Sequence, residues 1–161
     1  EGGPSPDPLN PMTTLKKLRF KAALWLWARA LPVLAWKRSL PSLLALTKPR
    51  AAAPYQGLSA HYIVRRVKKS TRRPWVMRDR PCLREGILAL RFLRLAGFDP
   101  ALHFGVDRQS VKQDVLSAHC WIVLDQEIIL NPPTPTMVEI LIHAGDRLLP
   151  PSHAHATLSQ G

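Results

Sequence analysis

Between Pro81 and Leu130 the apolar residues change their period, and that change limits the chain to a helix-then-sheet architecture. Leu83, Ile87, Leu90, Phe92 and Leu95 form a helical stripe that Pro81 opens and Gly97 closes. After the turn at Asp99 and Pro100, Ala101 to Val106 reads as a strand, and Ala118 to Leu124 as a second. Alternation along the second puts His119, Trp121 and Val123 on one face and Ala118, Cys120 and Ile122 on the other. Asp125 to Glu127 supply a turn, and Ile128 to Leu130 a returning strand. A helix followed by these strands reads as an α+β fold, with a small antiparallel sheet against the helix.

The 161 residues allow one modest domain with extensions, and the reading divides them as 1–11, 12–50, 51–150 and 151–161. The first segment holds four prolines and two glycines ahead of Met12, and is expected to be a disordered leader or cloning remnant. From Thr13 to about Leu31 the spacing is helical, through Leu15, Leu18, Ala22 and Trp25 and a second line through Phe20, Leu24, Trp27 and Leu31. Pro32 is expected to end or kink this helix, with shorter ones from Val33 to Leu40 and from Pro41 to Leu46. Their wide apolar faces either pack on the domain that follows or offer an amphipathic surface to a partner or membrane. Lys48 to Gly57 reads as a connector, Ser59 to Lys69 as a helix, and the last segment as a flexible tail.

A hydrophobic fraction of 46% excludes a disordered polymer, and a formal charge of +12 calls for an anionic partner without naming it. The densest basic run, Arg65, Arg66, Lys68, Lys69, Arg72 and Arg73, is either a solvated helix end or a holder for an acidic peptide or phosphate. Arg29, Lys37, Arg38 and the prolines at 32 and 41 break the apolar stretch from Ala22 to Leu46, which excludes a transmembrane helix there. Two cysteines make no disulfide framework, so a reducing, cytoplasmic setting is expected.

Cys82 at a helix start, His119 on a strand about 35 residues later and Asn131 after the next strand are the parts of a cysteine nucleophile system. The helix start places the sulfur over unpaired N–H groups, with Arg80 and Arg84 near; such thiols titrate at roughly 3.5 to 7.5 rather than about 8.5. Those N–H groups are also candidates for an oxyanion hole. For Asn131 to share a face with His119, paired positions in the hairpin must sum to an even number, which a three-residue turn gives. With the other parity Asp125 becomes the second candidate for orienting the ring. His103 reads as a partly buried strand residue, Glu85 as a first-turn helix anion or a general acid, and Cys120 as core. Neither cysteine has a partner at metal-binding spacing, His153 and His155 lie in the tail, and no cofactor is expected.

The segments PCLREG, GFDPALHFGV, AHCWIVLD and the following LN resemble the lasso-peptide maturation peptidases, a branch of the transglutaminase-like superfamily with a papain-like fold. The resemblance covers Tyr55 to Pro150, with its specific motifs between Pro81 and Asn131. Cys82 with Leu83, Gly105 with Val106, and Ala118, His119 and Trp121 match as they stand. Twelve residues after His119 comes Asn131 where most relatives carry Asp, a neutral acceptor that stabilises an imidazolium less than a carboxylate does. The resemblance implies catalytic Cys82, His119 and Asn131, and a precursor peptide whose leader ends in a next-to-last threonine. It also implies a lasso cyclase as partner. The first 50 residues lack the alternating strands of a fused leader-binding domain, so a separate leader-recognition protein is expected. No phosphate loop is present and no nucleic-acid partner is expected; membrane contact by the N-terminal helices is the lesser reading. Two rivals stand beside the peptidase: a transglutaminase-like amidase or peptidase acting on another peptide, and a non-catalytic basic binding module.

Overall fold

The computed structural model describes residues 11–35, 38–48, 52–72, 81–110 and 116–151. Residues 1–10, Arg73, Arg80, the loop centre at 111–115 and the tail with His153 and His155 lie outside these, so the expectations placed on them stay where the sequence left them.

Helix α1 runs from Pro11 to Ala35 and passes through Pro32 without stopping. The expected end of the helix at Pro32 is not found, for a local reason. Pro32 falls in the last turn, so its missing N–H and its ring disturb only the end of the helix, while Ala28 and Leu31 just before it are buried in the core. Residues 33–35 therefore complete α1, and the expected separate helix from Val33 to Leu40 does not exist as such. Helix α2, Leu40–Ala45, follows an extended Ser39 and carries Pro41 in its first turn, where a proline costs no hydrogen bond.

Helix α3, Ala60–Thr71, is capped by Ser59, whose hydroxyl accepts from the Tyr62 N–H at 3.3 Å. Helix α4, Pro81–Arg94, ends in a turn that places Gly97 at φ 91°, a conformation that suits glycine. Phe20 of α1 meets Phe92 of α4 edge-on at 5.4 Å and Tyr55 at 5.5 Å. One buried cluster thus takes side chains from α1, α2, α3, α4 and the sheet together. Two arginines fasten α4 to the end of α2: Arg94 donates to the Thr47 carbonyl at 2.8 Å, and Arg91 donates to the Leu46 carbonyl while lying over the Trp27 ring.

The sheet has five antiparallel strands in the order β3-β2-β1-β4-β5. They are β1 Ala101–Asp107, β2 Ala118–Leu124, β3 Glu127–Leu130, β4 Met137–Ala144 and β5 Arg147–Leu149. The last two were not foreseen, and β4 is the strand that flanks β1 on the side away from β2. Helix α4 covers the face that carries Leu102, Cys120 and Ile122. Gly86 permits the approach, since a Cβ there would stand 2.9 Å from Leu102 and 3.4 Å from the Cys120 sulfur.

The β2–β3 hairpin reaches the even parity by an unexpected route. Its turn holds two residues, Asp125 and Gln126, both at positive φ, and pairs Leu124 with Glu127 and Val123 with Ile128. A bulge then shifts the register so that Ile122 faces Leu130, which leaves Ile129 as the extra residue. The three-residue turn over Asp125–Glu127 is therefore replaced by a tight turn followed by a bulge.

Candidate active site

Cys82 is the second residue of α4 and is half-buried. Its side chain lies near the first residues of β2, close enough for the His119 ring and the Cys120 thiol to act on its ionisation. The Cys82 thiol is pulled down to about 5. Donation from the Cys120 S–H is the largest cause, and burial opposes it. The hydrogen bond and charge of His119 and the Cys120 backbone N–H add to the lowering. A helix N-terminus favours the anion as well. The paired thiol moves the other way: Cys120, 1% exposed, is held above the ordinary thiol range by its bond to Cys82, then by burial and by the charges of Cys82 and Glu85. The two thiols are thus shifted in opposite directions, Cys82 down and Cys120 up.

This contact is one that the sequence reading missed. Alternation does send Cys120 to the face opposite His119, and it is core as expected. Because α4 packs on that same face, however, the core position lies directly against the start of the nucleophile helix.

The third member of the expected trio is also present, by a different atom. His119 Nε2 lies 3.2 Å from the backbone carbonyl of Asn131, so the ring N–H donates to that oxygen rather than to the side-chain amide. Asn131 has φ 53°, the left-handed region that Asn tolerates better than most residues, and its Nδ2 is buried without a partner. A carbonyl fixed in this way holds the ring and leaves Nδ1 as the nitrogen available to the sulfur. Asp125 plays no part. It is exposed in the turn at the far end of β2, about 20 Å along the strand from His119.

The neighbouring residues support rather than react. His103 stacks on Trp121 with ring centres 5.8 Å apart, and its Nδ1 lies 2.5 Å from Glu139 on β4, a partner the sequence reading did not supply. The Trp121 indole lies over Gly105, where a Cβ would come within 2.9 Å of the ring and of the Val138 carbonyl. That explains the glycine of the GV pair in physical terms. Glu85 accepts from Thr71 at 2.8 Å, which ties the end of α3 to the start of α4 and gives this carboxylate a structural task. Among the described residues, no group of three or more His, Cys, Asp or Glu is placed to hold a metal ion. Among the same residues, no helix is long and apolar enough to cross a membrane.

Comparison with protein families matches residues 22–140 to the transglutaminase-like superfamily. No curated protein and no solved structure gives a match. The matched span runs from the middle of α1 to within β4 and contains Cys82, His119 and Asn131. The match covers most of the chain and agrees with the α+β frame, and the chain belongs to the transglutaminase-like superfamily.

Proposed function

We propose that this protein is a cysteine peptidase that removes the leader from a ribosomally made lasso-peptide precursor. The observation that carries the reading is the arrangement of three groups: the Cys82 sulfur at a helix N-terminus, the His119 ring against it, and the Asn131 carbonyl on the far ring nitrogen. With its thiol near 5, Cys82 is a thiolate at neutral pH and needs no separate base to become nucleophilic.

In this mechanism the thiolate attacks the carbonyl of the scissile bond and gives a tetrahedral oxyanion. Unpaired N–H groups at the start of α4 are the candidates to receive that oxyanion. The imidazolium of His119 gives its proton to the leaving amine, and the bond to nitrogen breaks to leave an acyl-thioester on Cys82. The neutral ring then takes a proton from water, and hydroxide releases the acid and regenerates the thiolate. Asn131 keeps the ring in register through both transfers.

The lasso assignment rests on the Cys-Leu, Gly-Val and Ala-His-x-Trp words of the sequence, and superfamily membership supports the acyl-transfer chemistry beneath it. The precursor would arrive with a separate leader-recognition protein, and a cyclase would take the freed core. Incubation of the protein with a candidate precursor and that recognition protein, followed by mass spectrometry, should give one cut at the leader boundary and none with Cys82→Ala. Selective alkylation of Cys82 by iodoacetamide with no cleavage of that precursor, but with hydrolysis of other peptides, would move the reading to a transglutaminase-like peptidase or amidase of different substrate. No selective alkylation would leave a basic binding module.

A further inference from the structure

The exposed side of α3 is a cationic trough. Lys68 and Arg72 line both a cavity of about 820 Å³ that reaches His61 and Ile129 and a second of about 250 Å³ that reaches Pro81 and Glu85. Arg66 and Lys69 connect the first to a third, of about 240 Å³, bounded by Lys21, Trp25 and Arg29 of α1. The three adjoin along α3 through these shared basic residues. Arg65, Lys68, Lys69 and Arg72 are exposed, and Glu85 is the single carboxylate among the described residues lining the path, already engaged by Thr71. Such a density of like charge is held together at a cost in self-repulsion, which an anionic ligand would relieve.

We infer that this trough is the subsite for an acidic stretch of the peptide substrate, next to the bond that is cut. The inference rests on the peptidase reading and supplies its substrate class. Position selects a peptide. One end of the path touches Pro81, the residue before Cys82, and its wall includes Ile129, two residues before the Asn131 carbonyl that holds His119. The path therefore comes within one residue of Cys82 and two of Asn131 along the chain. β3 is also the edge strand of the sheet, so an extended chain beside it finds backbone groups to bond while its carboxylates meet α3. The trough offers poor stacking to nucleobases, because its exposed indole, Trp25, already has Arg29 over its face at 3.7 Å.

The test uses the full chain and a fluorescein-labelled dodecapeptide of Glu and Asp interspersed with Ala and Ser, against an analogue with Gln and Asn in place of the acids. Anisotropy should show the acidic peptide binding at least about tenfold tighter, and the bound peptide should slow alkylation of Cys82 by iodoacetamide. The double reversal K68E/R72E should weaken binding by about tenfold, while R108E/R147E, the same charge change on exposed residues away from the trough, should change it less than about twofold. Equal binding of the neutral analogue would overturn the inference, as would equal loss in both double variants or unchanged Cys82 alkylation with peptide bound. Tighter binding of a single-stranded DNA dodecamer or of phosphatidylglycerol vesicles would overturn it in favour of nucleic acid or membrane. The two readings fail separately. Peptide binding without cleavage of any precursor removes the peptidase and keeps the trough, whereas precursor cleavage unaffected by K68E/R72E removes the trough and keeps the peptidase.

Discussion

At the scale of single residues, the state of Cys82 is set by its neighbours more than by its own position. Cys120 supplies the largest share of the lowering. Cys120→Ala should therefore move the pH profile of Cys82 alkylation upward from about 5, by a unit or more, and so cut the rate at pH 5 by about fivefold or more. Cys120→Ser, which keeps a donor, should recover part of the loss; an unmoved profile in the alanine variant would remove Cys120 from the account. Asn131 makes a second, sharper test because its backbone does the work. Asn131→Gly should stay within about threefold of the parent rate, since glycine accepts φ 53° freely and the carbonyl survives. Asn131→Ala should be less stable, by ~1 kcal/mol for the left-handed backbone. A loss of a hundredfold or more in the glycine variant would return the orienting role to the side chain. That Cys82 opens a helix, that His119 lies on a strand and that Asn131 follows the next one was legible in the sequence, because helix starts and strand alternation are local. The use of a carbonyl instead of an amide was not legible, because no pattern of side chains records a backbone dihedral.

Among the elements, the β2–β3 hairpin shows where pattern reading works and where it stops. Ala118 to Leu124 was read without error as a strand, and the parity that His119 needs could be stated in advance. What could not be read was the division of one extra residue between turn and strand. Asp125 and Gln126 accept positive φ, so the turn closes on two residues and the surplus passes to Ile129. Deleting Ile129 should thus displace the Asn131 carbonyl from the ring and reduce turnover by roughly a hundredfold, as misplacements of about 1 Å do. Inserting one glycine after Gln126 in the deletion variant should restore much of it, and turnover of the parent, the deletion and the combined variant measures this directly. Strands β4 and β5 went unread although Gly145 and Asp146 are a two-residue hairpin signal between them. The run Met137–Ala144 is apolar on both sides of its alternation at several points, which hides the period that marks a half-exposed strand. With β4 unread, the Glu139 partner of His103 was out of reach as well.

For the molecule as a whole, the long first helix belongs to the core. Phe20, fully buried, stands among Tyr55, Tyr62 and Phe92, and Leu24, Ala28 and Leu31 continue its line. Phe20→Ala should cost ~3–5 kcal/mol in chemical denaturation, and removal of residues 1–35 should abolish cooperative unfolding; a truncated chain that still melted cooperatively would show that α1 is an accessory. The wide apolar stripes of the N-terminal helices were visible in sequence, but which surface they covered depended on packing between distant segments, and Pro32 suggested a break that burial overrides. The hairpin bulge has a further consequence at this scale. Ile129, displaced from the ladder, is the same residue that walls the cationic path beside α3. If the proposed peptidase site and the acidic subsite both hold, one surplus residue serves both, so a lineage that altered the length of this hairpin would have to renegotiate both traits in a single step.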